Sequence, residues 1–269
     1  MVYLRPRRVD RANNNTPILS HREIDEHAHA VLKSYKPGLL REPGKICFRH
    51  FLESYCQMRL TQYDLYSDDP DRQILAITAF NTSKIKIFDR KNERIIKKTI
   101  PARTVVFDNS VMEDGMEALA LFSGMHEGGH VTMHWHVYTG ETFDGDAYDP
   151  DYDWDDIDSY VCCHRENIES KGGGDRNKTR TAKEWRERQA DYFGGAVTMP
   201  NATFKPLVIE FLREQGFYKP SIMLGRSEDL DILANDILPF EISEVYGVSK
   251  RAARIKLRTS GFVTGTMGY

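Results

Sequence analysis

The sequence predicts a mixed α+β fold in which a small antiparallel sheet packs on two amphipathic helices, with helical flanks at both ends. Three observations predict it: β-branched runs are confined to residues 73–108, helix-start signatures lie on either side of them, and a basic helical pair closes the chain. The 269 residues, 40% hydrophobic and 29% charged, suffice for one sizeable core with an appendage. A net charge of −3 gives no global case for a nucleic-acid or bilayer partner. No apolar run approaches the ~18 residues of a membrane span. The basic start (Arg5, Arg7, Arg8, Arg11) lacks the apolar segment of a secretory signal, and the cysteines at 47, 56, 162 and 163 make no disulfide framework. The cytoplasm is the expected compartment.

Residues 1–19, rich in Arg, Asn and Pro, read as a loose arm preceding a main domain over 20–200. Ser20 with Glu23 forms a capping box that opens a helix with Ile24, Ala28, Val31 and Leu32 on its buried side; His27 and His29 on it read as solvated. A second helix is expected after Pro43, with Ile46, Cys47, His50, Phe51 and Ser54 on one side. The runs 73–80 and 84–89, joined by Asn81-Thr82-Ser83, read as a β-hairpin, and 94–100 and 104–108 as further strands. Asp108, Asn109 and Ser110 offer N-cap chemistry for a helix whose apolar spacing runs through Met116, Leu119, Ala120, Phe122 and Met125.

That helix carries His126-Glu127-Gly128-Gly129-His130. Histidines four apart project from one helix face, so two imidazoles can grip one divalent metal, and Glu127 stands beside them to take a proton from water held there. Each glycine costs a helix roughly 1 kcal/mol relative to Ala, which close packing beside the site would explain.

Residues 141–158 hold Glu141 and eight aspartates interleaved with Phe143, Tyr148, Tyr152 and Trp154. Trp154 and Tyr160 stand where a calcium loop needs Gly and Glu, so an EF-hand is rejected. A solvated surface insertion is preferred to a rim for a basic partner. Cys162-Cys163 reads as a packed or redox-sensitive thiol pair, and 171–177 as a glycine-rich link, the whole insertion running over 141–180. Thr181 with Glu184 then opens a helix with Trp185, Gln189, Tyr192, Phe193, Ala196 and Val197 along one side, stopped at Met199-Pro200.

A catalytic zinc usually has three protein ligands. His136 lies at the third-histidine spacing of H-E-x-x-H-x-x-G-x-x-H, but Met133 stands where that pattern needs Gly to turn the chain. Glu187 is the competitor, with Asp191 one turn on and placed to orient an imidazole; on spacing alone, flanked by Arg186 and Arg188, the pair reads as solvated helix surface. His134 lies about 80° around from His126 and reads as solvent-facing or as a support for the ligands.

The stretch Phe122-Ser123-Gly124-Met125-His126-Glu127-Gly128-Gly129-His130, ending at His134, resembles the metal helix of the ImmA/IrrE family of metallopeptidases. Glu187-Arg188-Gln189-Ala190-Asp191-Tyr192-Phe193 through Met199-Pro200 resembles that family's second signature helix. Thr104-Val105-Val106-Phe107-Asp108 is similar to the strand before the first. The resemblance covers roughly residues 74–200, with Gly194-Gly195 and the Asp-rich insertion as departures. It implies a zincin-like metallopeptidase core with His126, His130 and Glu187 on Zn2+ (Mn2+ or Fe2+ being alternatives) and Glu127 catalytic. It further implies a regulatory protein substrate, such as a repressor of a mobile element or stress response. For the oxyanion, His134, His136, Tyr138, His164 and Tyr192 are all candidates.

Residues 201–269 form the expected C-terminal helical subdomain. A helix ending at Tyr246, the turn Gly247-Val248-Ser249, and a second helix to Gly261 carrying Lys250, Arg251, Arg254, Lys256 and Arg258 resemble a helix-turn-helix. DNA contact is one expectation and docking of a protein substrate another. The competing functional class is a non-catalytic regulator that binds a repressor or DNA through this helix.

Overall fold

A computed structural model describes residues 1–141, 160–165 and 181–265. The Asp-rich stretch beyond Glu141 and the glycine-rich link lie outside the described residues. Both capping boxes form: Ser20 opens α1 (His21–Tyr35), and Thr181 opens α5 (Ala182–Thr198), which stops just before Met199-Pro200. Between them lie α2 (Phe48–His50, continued by a π-helical turn Phe51–Tyr55), α3 (Glu117–Met133) and α4 (Trp135–Thr139). In the second segment Ile46 and Phe51 are buried, whereas Cys47, His50 and Ser54 are exposed.

The architecture is mixed α+β. The central sheet runs β3 (Arg59–Tyr63), β7 (Thr104–Asp108), β4 (Ile74–Ala79), β8 (Tyr160–His164). β3 pairs in parallel with β7, and the other two pairings are antiparallel. The expected hairpin between 73–80 and 84–89 does not form. Instead β5 (Ser83–Asp89) pairs with β6 (Arg94–Ile100), and this ribbon lies across the sheet. The reason is in β4, which is buried along both faces and therefore needs cover on both. Ile77, Ala79 and Val106 meet Ile85, Ile87 and Ile100 of the ribbon on one side. Ala76, Val105, Phe107, Val161 and Cys163 belong to the main core with α3 on the other. Because neighbouring strand residues point to opposite faces, Cys163 is buried towards α3 while Cys162 packs with the ribbon, so the two are not a thiol pair.

Asp108 caps a 3-10 turn (Asn109–Met112), and α3 begins only after Gly115, whose φ of +86° breaks the chain direction. The Glu187-bearing α5 packs on α3 and α1 rather than on the sheet as expected, and Trp185, expected on its buried side, is 45% exposed. A Cβ on Gly128 would lie 2.6 Å from Phe51 Cε1, and one on Gly129 would lie 3.0 Å from Ala190 Cα. Gly129 thus lets α3 approach α5 beside Glu187 and Asp191, while Gly128 makes room for the Phe51 ring.

The N-terminal segment is docked, not loose. β1 (Val9–Asp10) pairs with β2 (Thr16–Pro17), Leu4 N donates to Thr132 O at 2.9 Å, and Arg186 Nη1 donates to Thr16 Oγ1 at 2.8 Å. Thr132 and Arg186 lie more than a hundred residues on from the groups they hold, where local pattern cannot reveal them. Among the described residues no helix is long and apolar enough to cross a membrane.

His27 corrects another expectation. It is buried against Phe193, and its Nε2 has no partner among the described residues. Burial pushes the imidazole down from 6.5 to about 4. The unfolded chain therefore takes up a proton below pH 6.5 that the folded chain accepts only near pH 4, so stability falls as pH drops through that window. Urea melts at pH 7 and 5 should differ by about 2 kcal/mol more in the wild type than in His27→Leu.

Candidate metal centre

Four elements build the site. α3 presents His126 and His130 from one face, α5 presents Glu187 and Asp191 from the facing turn, and β4 and β8 floor it with Thr78 and Cys163. His126 Nε2 and His130 Nε2 are 3.1 Å apart. The Glu187 carboxylate faces both, 3.3 Å from His126 Nε2 and 3.5 Å from His130 Nε2. Both histidines are fully buried. These three residues can hold a metal ion, and a set of two nitrogens and a carboxylate fits zinc while leaving manganese and iron open.

His126 Nδ1 donates to Asp191 Oδ1 at 2.8 Å, which orients the ring and leaves Nε2 facing the group. His130 Nδ1 lies 3.1 Å from His134 Nδ1, and His134 Nε2 lies 2.8 Å from Gln189 Oε1. Gln189 Nε2 donates to the Pro17 carbonyl at 2.8 Å. Burial pushes His130 down to about 4, against the pull of Glu187, and pushes His134 well below its usual value. Burial alone would raise the Glu187 carboxyl, but the facing imidazoles together hold it well below the usual carboxylate range. An ionised carboxylate between two imidazole nitrogens is a fitting cradle for a cation.

Glu127 is fully buried. Burial pushes its carboxyl up to about 7 against the pull of His126 and of Thr78, whose Oγ1 donates to Glu127 Oε2. A carboxyl poised near neutrality is suited to taking and returning a proton. With His126 and Cys163 it also forms a second group of possible ligand atoms.

The remaining candidates are placed as follows. His136 Nε2 donates to the Asn15 carbonyl at 3.1 Å and is outside the ligand group. The Tyr192 hydroxyl donates to Asp25, and its ring stacks on His21 at 4.1 Å. Tyr138 is buried beside His130, and its hydroxyl accepts from Arg186 Nε at 3.1 Å. Thr78 carries no signal in the sequence, while Cys163 reads there only as half of a thiol pair and Arg186 only as a charged neighbour of Glu187. Gln189 was legible only as a polar residue in an apolar stripe, a position where a buried amide needs partners.

In the C-terminal part, α6 (Asn201–Glu214) and α7 (Glu228–Ile232) lead to α8 (Leu238–Tyr246) and α9 (Lys250–Thr259). The last two are joined through a left-handed Gly247 and a capping Ser249. Arg254 donates to the Asn235 carbonyl and pairs with Asp236 at 3.2 Å, Lys250 lies over the Phe240 ring, and Lys256 is buried over Phe204. Arg251 is exposed. Set beside known proteins, the chain matches no family and no curated protein.

Proposed function

We propose that this chain is a metal-dependent endopeptidase with a zincin-like core, related to the ImmA/IrrE family by the motifs quoted above. The observation that carries the reading is the convergence of His126 Nε2, His130 Nε2 and the Glu187 carboxylate, with a buried Glu127 next to them. His126, His130 and Glu187 would hold the metal, which when bound supplies Lewis-acid polarisation and lowers the pKa of water. Glu127 accepts the proton of the attacking water and returns it to the leaving amine. Tyr138 is the favoured donor to the charge developing on the carbonyl oxygen, because its hydroxyl accepts from Arg186 and keeps its own proton to give.

The substrate we favour is a single regulatory protein, such as a repressor, rather than protein at large. A purely DNA-binding role through α9 is less favoured, since Arg254 and Lys256 are engaged within the fold. The test is to incubate zinc-loaded protein with the undigested proteome of its own cell, in which a regulatory substrate is present, and count new N-termini by mass spectrometry. Cleavage should vanish on chelation and return on adding zinc. A zinc-loaded chain that yields no new N-termini overturns the peptidase reading and favours a regulator that acts by binding.

A further inference from the structure

We propose that His134, Gln189 and the Pro17 carbonyl form a relay that fixes the proton positions in His130 and so sets the affinity of the metal centre; this rests on the metal reading above. The Pro17 carbonyl can only accept, so Gln189 Nε2, 2.8 Å away, donates to it, and this fixes which way the amide points. Gln189 Oε1 then faces His134 Nε2 at 2.8 Å, and since an amide oxygen only accepts, His134 carries its proton on Nε2. His134 therefore turns a lone pair at Nδ1 towards His130 Nδ1, 3.1 Å away, so that atom holds the His130 proton. The lone pair of His130 is left on Nε2, facing His126 Nε2 and Glu187.

The reverse assignment is costly. A proton on His134 Nδ1 would set two acceptors, His134 Nε2 and Gln189 Oε1, against each other in the interior, and would put the His130 proton on the atom that must face the metal. Asp191 does the matching work for His126 from the other side. The two supports differ in origin: Asp191 sits on α5 alone, whereas the His130 support ends in β2 of the N-terminal hairpin. His134 and Gln189 are thus positioning residues, and the docked N-terminus is part of what makes the centre able to bind.

Two variants separate this from a purely structural role. Gln189→Leu and Gln189→Glu both lose the donor to Pro17, but only the glutamate keeps an acceptor for His134 Nε2. Zinc affinity, measured by competition with a chromogenic chelator, should fall 10–100-fold in Gln189→Leu and stay near the wild-type value in Gln189→Glu. Equal losses in both variants, or no loss in the leucine variant, would overturn the relay. Thermal melts of the metal-free proteins show whether each variant is folded. If the leucine variant is not, the wild type decides by itself. In metal-free protein with 15N-labelled histidine, His130 should show a protonated Nδ1 and a bare Nε2, and a proton on Nε2 refutes the proposal. A wild type that takes up no zinc sinks the metal reading, while the ring signals still report on the relay.

Discussion

Glu127→Gln is expected to retain its metal and lose 10²–10⁴-fold in peptide cleavage, the usual worth of a positioned general base. The substitution preserves shape, and an amide can still accept from Thr78 Oγ1, so the buried pocket keeps its packing. What it removes is the ability to take a proton, at a side chain that burial holds close to neutrality. Metal content by elemental analysis beside cleavage by mass spectrometry reads both halves. Loss of the metal together with activity would instead mark Glu127 as a ligand, in the grouping with His126 and Cys163.

Glu187→Ala is expected to lower metal affinity by more than the 10–100-fold typical of a supporting partner, because it removes a ligand outright. Two imidazole nitrogens 3.1 Å apart would remain without the carboxylate that faces both. Metal per chain after dialysis against a weak chelator is the measurement. Retention of metal would move the third ligand elsewhere, and Cys163 rather than His136 would be the first place to look, since His136 Nε2 is already committed to Asn15.

What the sequence revealed follows from the range of each interaction. Ser20 with Glu23 and Thr181 with Glu184 were readable because a capping box is complete within four residues. His126 and His130 were readable because helical periodicity alone puts them on one face. Strand pairing is not legible locally, because the partner of β4 is chosen by what must cover its two faces, not by the turn that follows it. β3 went unseen because its five residues, half-exposed, carry little alternation. The burial of His27 is not legible in the sequence, since nothing in its neighbours tells that Phe193 will cover it. Gln189 and Thr78 make their contacts only once α3, α5, β2 and β4 have met.

The docked N-terminal hairpin also has a consequence for synthesis. Thr16 and Pro17 bond to Arg186 and Gln189, partners 170 and 172 residues further along the chain. At about 5–20 residues per second, the first hairpin waits roughly 10–35 s on the ribosome before the helix that receives it has been made. During that interval Glu187 does not yet exist either, so a growing chain offers only the histidine pair and cannot mature into a competent centre. On the peptidase reading, the chain stays inert until the helix that carries Glu187 has been made.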